Sequence, residues 1–445
     1  VKIVCLLNGL IHRQFYYCAY YIFLDSSTMS NQPPHPESHM MTHGYNPDWS
    51  EGSLKVPIFQ TSTFAFKTAE DGKRFFELQT GKRKLDDGEA PGLIYSRMNN
   101  PNLEILESRL VLYEKGAEAA CVFESGMAAI STLLMEYLRP GDLLLHSNPL
   151  YGGSDGFIYQ VLPRYGIEVL SFKPTDTKEE IIERVNATGK ADRLTFMYIE
   201  TPANPNNILI DIALCMEVAQ HFSSPTKKVI TACDNTFMGP IWQSPLEMGV
   251  DFAVYSATKY LGGHSDIIAG VCMGSTAGIQ RVRKLRSHFG GMSGPHTAWL
   301  MLRSLETLQL RMDRQCQTAK VLAKYLRNHP KIEAVYYFDQ FTDPRQEAIY
   351  KNQCKAPGAM ISFDIKGGEA ACFAFLNKLK LIKLAVSLGS TESLAQHPYT
   401  MTHANVVEAT KKEFNITDKL IRFSVGGEHP DDLIEDLERA FENCD

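Results

Sequence analysis

Between residues 103 and 293 the sequence alternates between short apolar runs and longer segments with helical spacing. This alternation is typical of a mainly parallel sheet that is covered by helices on both faces. We therefore expect a protein of the α/β class. The predicted strands are Ala119–Phe123, Asp142–His146, Glu168–Phe172, Leu194–Ile199, Lys228–Cys233 and Phe252–Ser256.

The pattern changes after Ser293, where a long helical stretch from about Thr297 to His329 is followed by fewer strands and helices. At 445 residues the chain is too long for one small core and suits two packed domains. We therefore predict a large domain at residues 93–295 and a smaller α+β domain at residues 296–445.

Two further segments precede the large domain. Residues 29–92 are predicted to form an N-terminal arm and a loop, because they are first rich in Pro, His and Ser and later charged and Gly-rich. Residues 1–28 contain two apolar stretches that the polar residues 12–14 interrupt, whereas a membrane span needs about 20 nearly uninterrupted apolar residues. Since the chain does not begin with Met and Met29 opens a polar stretch, we expect residues 1–28 not to belong to the native protein.

The composition argues against several kinds of partner. The net charge is −6, so the chain has no electrostatic footprint for nucleic acid or for an anionic membrane. Its ten cysteines are scattered and form no CxxC pair, which favours reduced thiols in a cytoplasmic protein. The His and Cys residues lack the spacing of zinc ligands, so no metal site is predicted.

The strongest candidate for chemistry is Lys259, in the segment SATKYLGGHSD that follows the predicted strand Phe252–Ser256. A lysine amine can form a Schiff base with an aldehyde, but with an ordinary pKa of about 10.4 it is mostly protonated near neutral pH. An enzyme must hold the amine near an electrophile and partly desolvate it. Ser256 and Thr258 could donate hydrogen bonds to a phosphate beside it. Taken alone, a lysine in a loop is usually an ordinary surface residue.

Asp234 lies 25 residues before Lys259, at the end of the preceding predicted strand. A carboxylate at a buried strand end is costly unless it is paired. A pyridinium nitrogen is a suitable partner, because a nearby anion keeps that nitrogen protonated. The alternative is an aspartate that caps the next helix.

Two glycine-containing turns also follow predicted strands. Ser125-Gly126-Met127 lies where a strand passes into a helix, and such a junction can bind an anion through free backbone N–H groups and the helix dipole. Tyr151-Gly152-Gly153 follows the strand that ends near His146, and its aromatic ring could stack on a planar cofactor. Either segment alone could be an ordinary turn, the second with a tyrosine that packs.

Asn204 and Arg422 complete the set of candidates. Asn204 lies between two prolines after a predicted strand, and its amide could reach a phenolic oxygen. In the segment LIRFSVG, alternation puts Ile421, Phe423 and Val425 on one face and leaves Arg422 on the other. A planar guanidinium suits the two oxygens of a substrate carboxylate. An exposed arginine on an edge strand fits this segment equally well.

Together these segments resemble the Cys/Met-metabolism family of enzymes that depend on pyridoxal phosphate (PLP), whose fold is the type I fold of aspartate aminotransferase. The resemblance runs from about Lys55 to the C-terminus. The most specific stretches are Ser256–Asp266, Tyr95-Ser96-Arg97 with Asn100-Pro101, and Ser387-Leu388-Gly389 through Met401-Thr402-His403. The resemblance implies a large PLP-binding domain with a mainly parallel sheet and a smaller C-terminal domain.

The resemblance also implies a role for each candidate residue. Lys259 binds the cofactor aldehyde and moves the substrate Cα proton, Asp234 pairs with the ring nitrogen, and Tyr151 stacks on the ring and protonates the leaving group. The implied phosphate ligands are Gly126, Met127, Ser256 and Thr258, joined by Tyr95 and Arg97 from a neighbouring subunit. The implied substrate ligands are Arg422, Asn204 and Ser387. A homotetramer built from dimers with shared active sites follows from this arrangement.

The choice among the family's reactions depends on two positions. In its cystathionine enzymes a Glu commonly precedes the Ser-Leu-Gly motif and an Arg lies five residues after the stacking Tyr, whereas here Val386 and Gly156 occupy these positions. We therefore expect a carbon–sulfur lyase of the methionine γ-lyase type, which converts a sulfur amino acid into 2-oxobutyrate, ammonia and a thiol. The alternative is a γ-replacement or transsulfuration enzyme acting on an acylated homoserine or cystathionine. Gly153, where methionine γ-lyases often carry Cys, and the long insertion Leu78–Leu93 depart from the pattern.

Overall fold

The computed structural model describes residues 35–86, 89 and 91–442, so the expectation for residues 1–28 lies outside the described residues. The described residues form two sheets. The strands of the first sheet are β1 (Ala119–Phe123), β2 (Leu143–Ser147), β3 (Glu168–Phe172), β4 (Leu194–Glu200), β5 (Ile230–Asp234), β6 (Phe252–Ser256) and β7 (Gly270–Gly274). Those of the second sheet are β8 (Ile332–Tyr336), β9 (Met360–Ile365), β10 (Lys383–Leu384), β11 (Leu394–Gln396) and β12 (Leu420–Ser424).

The first sheet confirms the predicted α/β class. Its strand order is β1, β7, β6, β5, β4, β2, β3, and the five strands from β6 to β3 run parallel. All six predicted strands are present, with small shifts at the ends of three of them. Strand β7 was not predicted, since it is short and has glycine at both ends, and it runs antiparallel to β1 and β6.

Helices cover both faces of this sheet, as the alternation predicts. Along β4, Phe196 and Tyr198 pack into one cluster with α-helical residues, and Met197 and Ile199 pack into another on the opposite face. The helices of the described residues are α1 (Pro36–His39), α2 (Ala69–Gln79), α3 (Pro101–Leu110), α4 (Gly126–Tyr137), α5 (Gly152–Gly156), α6 (Lys178–Ala187), α7 (Ile212–His221), α8 (Gly239–Trp242), α9 (Thr276–Phe289), α10 (Pro295–Leu305), α11 (Leu308–Asn328), α12 (Pro344–Gln353), α13 (Gly368–Lys378), α14 (Glu408–Glu413) and α15 (Pro430–Phe441). No helix in the described part of the chain combines the length and apolar character that a bilayer crossing requires.

The second sheet has the order β10, β11, β12, β9, β8, so β12 lies at its centre. The helical stretch predicted from Thr297 to His329 is helical and consists of two helices, since α10 ends at Leu305 and α11 begins at Leu308. At the break the Thr307 hydroxyl donates to the Ser304 carbonyl at 3.3 Å. Such a local bond offers the backbone an alternative to continuing the helix.

Candidate active site

The predicted site residues follow the carboxyl ends of the strands of the first sheet. Asp234 is the last residue of β5, Lys259 lies three residues beyond β6, and Asn204 lies four residues beyond β4. Tyr151 lies four residues beyond β2, and Gly126 starts α4 shortly after β1. In open α/β sheets this edge is where ligands bind.

Lys259 is half-buried, and its Nζ donates to Ser387 Oγ at 2.8 Å. Burial, followed by the charge of Arg422, lowers the pKa of Lys259 to about 8. Both causes disfavour the ammonium form, so a larger share of the amine is neutral near pH 7 than in an exposed lysine. The lysine therefore has the two properties that capture of an aldehyde requires, a held position and a partly desolvated amine.

The partner of Lys259 comes from the C-terminal part of the chain. Ser387 has a positive φ of 96°, an uncommon backbone conformation for a residue other than glycine. Its carbonyl accepts a hydrogen bond of 2.7 Å from Arg422. Two residues later, a Cβ atom on Gly389 would lie 2.8 Å from the backbone nitrogen of Tyr260, so only glycine allows this close approach. The segment is thus fixed against the lysine loop by backbone shape as well as by hydrogen bonds.

Asp234 is buried and accepts hydrogen bonds from Thr236, through its backbone N–H at 3.0 Å and its hydroxyl at 2.6 Å. Tyr198 donates a third, longer bond of 3.4 Å. Burial raises the pKa of Asp234, and no cation of the described residues pairs with it. The alternative of a helix cap is wrong, because the next helix begins only at Gly239. A buried carboxylate held by three donors but lacking a cation suits a protonated ring nitrogen.

Glu200 is a residue of the site to which the sequence pattern assigned no role. It is the last residue of β4 and is in register with Asp234 at the end of β5. Its carboxyl group accepts hydrogen bonds from the backbone N–H groups of Tyr151 at 2.7 Å and Asn204 at 3.4 Å. Burial and the charge of Asp234 raise the pKa of Glu200 to about 8. A glutamate directly after the apolar run of a predicted strand is the signal that could have revealed it.

The junction between β1 and α4 forms a narrow cradle. Ser125 caps the helix by accepting a hydrogen bond of 3.0 Å from the Ala128 N–H. A Cβ atom on Gly126 would lie 3.0 Å from Ser256 Cβ, which shows how closely the helix start approaches the end of β6. The Thr258 hydroxyl bonds the backbone of Ala269 instead, donating at 3.2 Å and accepting at 3.1 Å. The free N–H groups at the N-terminus of α4 and the hydroxyl of Ser256 could therefore bind a phosphate. A phosphate contact from Thr258 stays a prediction.

The Tyr151 ring lies close to this cradle. A Cβ atom on Gly153 would lie 2.6 Å from Tyr151 Cε1 and 3.0 Å from the sulfur of Met127. The glycine therefore leaves space that the ring occupies, and ring, glycine and methionine meet at one point. Tyr151 is 47% exposed, which leaves part of its ring free to contact a ligand.

Arg422 lies in the central strand β12 and is only 4% exposed. The alternative of an exposed arginine on an edge strand is therefore wrong. Its guanidinium donates to Asn204 Oδ1 at 3.0 Å, and burial lowers the pKa of Arg422 to about 10. Beside it, burial and the Arg422 charge lower the pKa of the buried His403 to about 4, so this imidazole is neutral at pH 7. Arg422 keeps its charge, and the side chain that accepts its hydrogen bond, Asn204, follows strand β4 of the first sheet.

Tyr95 and Arg97 stand apart from this cluster. The Arg97 guanidinium donates to the carbonyl of Ser287 at 2.6 Å and lies 6.0 Å from the centre of the Tyr95 ring. Tyr95 is 41% exposed. Among the contacts of the described residues, neither side chain touches Lys259 or the Gly126 cradle of its own chain.

These groups fit pyridoxal phosphate, which carries an aldehyde, a ring nitrogen and a phosphate. The desolvated amine of Lys259, the carboxylate of Asp234 and the Gly126 cradle match one chemical group each, and Tyr151 supplies an aromatic face. The described residues contain no cluster of His, Cys, Asp or Glu side chains that could hold a metal ion.

The family model for Cys/Met metabolism PLP-dependent enzymes matches residues 37–442. The chain belongs to this family. Family membership confirms the predicted type I fold and the dependence on PLP. The structure thus belongs to an enzyme of sulfur amino-acid metabolism.

Three known proteins place this PLP-dependent enzyme among its relatives. It is 42% identical to the L-methionine gamma-lyase of Fusobacterium nucleatum subsp. nucleatum, over 88% of this chain and 94% of that protein. It is 39% identical to the L-methionine gamma-lyase of Pseudomonas putida, over 92% and 98% of the two chains. The solved structure of cystathionine gamma-lyase from Lactobacillus plantarum with L-serine is 32% identical, with a TM-score of 0.81 and coverage of 92% of this chain and 99% of that one.

Proposed function

We propose that this enzyme is a carbon–sulfur lyase of the methionine γ-lyase type, which converts a sulfur amino acid into 2-oxobutyrate, ammonia and a thiol. The observation that carries the proposal is the hydrogen-bonded group Lys259–Ser387–Arg422–Asn204, which combines a desolvated amine with a buried cation. An α-amino acid substrate brings a matching amine and carboxylate to these two groups. The L-methionine gamma-lyases at 42% and 39% identity support this choice of reaction.

The surroundings of the substrate side chain favour an apolar thioether. Val386 is half-exposed beside Ser387, and nothing lies within 4 Å of a Cβ atom built on Gly156. Neither position offers a cation to the distal carboxylate that cystathionine carries. A methionine side chain needs no such partner, so these two positions support methionine over cystathionine.

In the proposed mechanism the cofactor, when bound, supplies an aldehyde that captures amines and a ring that withdraws electrons from the substrate Cα. Arg422 and Asn204 hold the substrate carboxylate and so orient its Cα toward Lys259. The amine of Lys259 takes the Cα proton, because its lowered pKa makes it a usable base near neutral pH. Asp234 would hold the proton on the ring nitrogen through its charge. A second proton, from the substrate Cβ, must also be removed before the Cγ–S bond breaks, and the Tyr151 hydroxyl delivers a proton to the departing sulfur. Water then releases the remaining four carbons as 2-oxobutyrate and the nitrogen as ammonia.

The same proposal includes the assembly and location of the enzyme. Tyr95 and Arg97 lie apart from the cluster of their own chain, which supports a homotetramer of dimers in which they reach a neighbour's phosphate site. Two domains at residues 93–295 and 296–445 agree with the separate sheets. Six of the seven cysteines of the described residues are buried, which supports a cytoplasmic protein.

A substrate panel tests the proposed reaction. The purified enzyme loaded with pyridoxal phosphate would be incubated separately with methionine, with cystathionine, and with O-acetyl- or O-succinylhomoserine plus a thiol, and the products identified. We expect 2-oxobutyrate from methionine at the highest kcat/KM. Fast formation of cystathionine or homocysteine, with no 2-oxobutyrate from methionine, would instead establish a γ-replacement enzyme.

A further inference from the structure

Glu200 occupies a costly position for a carboxyl group. It is 4% exposed, and in the pairing of β4 with β5 it lies level with Asp234, which is also buried. Two ionised carboxylates so close together in a buried site repel each other. The mechanism uses only Asp234, so the presence of Glu200 beside it calls for a separate explanation.

The hydrogen bonds of Glu200 lead to two residues of the active site. One carboxyl oxygen accepts from the backbone N–H of Tyr151 at 2.7 Å and the other from that of Asn204 at 3.4 Å. Tyr151 is the N-cap residue of α5, and its own side chain makes no capping hydrogen bond. The Glu200 carboxyl group binds the backbone N–H of Tyr151 and so holds the backbone where this helix begins. Asn204 in turn accepts a hydrogen bond from Arg422 at 3.0 Å. The Glu200 side chain therefore fixes two backbone positions. One is Tyr151, which carries the aromatic ring, and the other is Asn204, which accepts a hydrogen bond from Arg422.

The neighbouring strands do not need this side chain for their own alignment. Strand β2 pairs with β4 through residues 143–146, with a register shift between Leu143 and Leu144, and the backbone N–H of Glu200 is satisfied by Ser147 Oγ at 3.0 Å. Among the contacts of the described residues, the Glu200 carboxyl group hydrogen-bonds only Tyr151 and Asn204. Its contacts therefore serve the segments beyond the strands rather than the sheet.

We propose that Glu200 is a positioning residue. Its carboxyl group positions the Tyr151 ring and the hydrogen-bonded pair Asn204–Arg422 in the cofactor pocket. This inference rests on the proposed function and adds a residue to it. Glu200 touches neither substrate nor reacting atoms, and it acts through the two backbone segments that it holds.

The raised pKa of Glu200 agrees with this role. Burial and the charge of Asp234 raise it to about 8, so the neutral form of Glu200 is more populated near pH 7 than that of an exposed glutamate. Both of its carboxyl oxygens accept backbone N–H groups, as Asp234 accepts hydrogen bonds from Thr236 and Tyr198. Glutamine has nearly the same shape but only one acceptor oxygen, because its amide nitrogen donates.

The test compares Glu200→Ala and Glu200→Gln with a matched pair of variants at Glu114. Glu114 is also buried, its pKa is also raised to about 8, and it also accepts a backbone N–H bond, from Leu246 at 3.4 Å. It lies outside the active site as described above. Three quantities are measured for each variant: the Tm of the cofactor-free protein, the Kd for pyridoxal phosphate by titration of that protein, and kcat and KM with methionine.

For Glu200→Ala we expect kcat to fall at least about 10-fold and the Kd for pyridoxal phosphate to rise about 10-fold, because the tyrosine ring and the asparagine amide lose their anchor. Glu200→Gln should be impaired less than Glu200→Ala in both quantities, since its one amide oxygen can still accept from Tyr151 while its NH2 group cannot accept from Asn204. Glu114→Ala should lower Tm as much as Glu200→Ala while leaving kcat and the cofactor Kd within about 3-fold of the wild type.

Two results would overturn the positioning role: equal effects of Glu200→Ala and Glu114→Ala on kcat and cofactor Kd, or a glutamine variant as impaired as the alanine variant. If Glu200→Ala does not fold, Glu200→Asp replaces it, because it keeps the carboxyl group but shortens its reach by one methylene, and the same 10-fold effects are expected. A wild-type protein that turns over no methionine would count against the proposed function, while the cofactor Kd ratios would still test Glu200.

Discussion

At the residue scale, the site depends on charges whose pKa values are shifted by burial. The pKa of Lys259 is lowered and those of Asp234 and Glu200 are raised, and desolvation is the largest cause in all three. Burying these groups costs folding free energy, and shifted pKa values of this kind cluster at functional sites.

Replacement of Lys259 by alanine removes both the amine that binds the aldehyde and the base. We expect kcat/KM for methionine to fall by about 10³-fold or more, since loss of a general base alone typically costs 10² to 10⁴. The visible absorption band of the lysine-bound cofactor should disappear as well. Steady-state kinetics and an absorption spectrum check this, with Lys320→Ala on the surface of α11 as the control. Retained turnover in Lys259→Ala would mean that another residue serves as the base.

The rate of cofactor capture should depend on pH through Lys259. Its pKa is lowered to about 8, so the reactive neutral amine is scarce well below pH 8 and predominates above it. We expect the rate at which cofactor-free enzyme binds pyridoxal phosphate to rise with pH from 6, to reach half of its maximum near pH 8 and to level off above about 9. Stopped-flow absorbance checks this. A rate that still rises steeply at pH 10 would show that the amine has the ordinary pKa of an exposed lysine.

At the element scale, the arrangement of the strand ends decides which side chains meet. Parallel pairing puts the ends of β4 and β5 level, which aligns Glu200 with Asp234, and the start of α4 abuts the end of β6. The central strand β12 of the second sheet carries Arg422 into the same cleft. Small displacements of these ends therefore act directly on cofactor and substrate binding.

Gly126→Ala tests the contact between α4 and β6. The new Cβ atom would lie 3.0 Å from Ser256 Cβ and 3.2 Å from its hydroxyl oxygen, so one of the two elements must move by a few tenths of an ångström. We expect the Kd for pyridoxal phosphate to rise about 10-fold, which corresponds to about 1.4 kcal/mol. Gly294→Ala, at the N-cap of α10 with nothing within 4 Å of its Cβ atom, is the control and should leave that Kd unchanged. An equal Kd for both variants would argue against a tight cradle.

At the scale of the whole molecule, one chain provides a nearly complete cluster but leaves Tyr95 and Arg97 outside it. The Arg97 guanidinium donates a hydrogen bond to the Ser287 carbonyl. Two residues after Ser287, the side chain of Phe289 is exposed. If the proposed dimer forms, these two side chains complete the phosphate site of the second subunit. The assembly, rather than the chain, is then the catalytic unit.

Complementation between inactive variants tests the shared site. Arg97→Ala and Lys259→Ala should each be nearly inactive, because one lacks the donated phosphate ligand and the other lacks the amine. After mixing, dissociation and reassociation, half of the dimers contain one copy of each, and each such dimer has one fully wild-type site. We therefore expect recovery of about 25% of the wild-type activity. No recovery in dimers verified by native mass spectrometry would mean that Arg97 serves the site of its own chain.

The sequence by itself determined the α/β class, the six predicted strands of the first sheet and the family to which the chain belongs. Those features depend on local spacing and on short motifs, which a linear sequence contains in full. It also set Arg422 on the face of β12 opposite to Ile421 and Phe423, since alternation fixes the side on which a strand residue points.

Only the tertiary structure decided which of these side chains meet. Lys259 bonds Ser387, which is 128 positions later, and Arg422 bonds Asn204, which is 218 positions earlier. The burial of Arg422 in a central strand and the alignment of Glu200 with Asp234 likewise depend on strand order. Local spacing fixes the direction of a side chain from its own backbone, but distances between distant segments are set by how the sheets and helices pack.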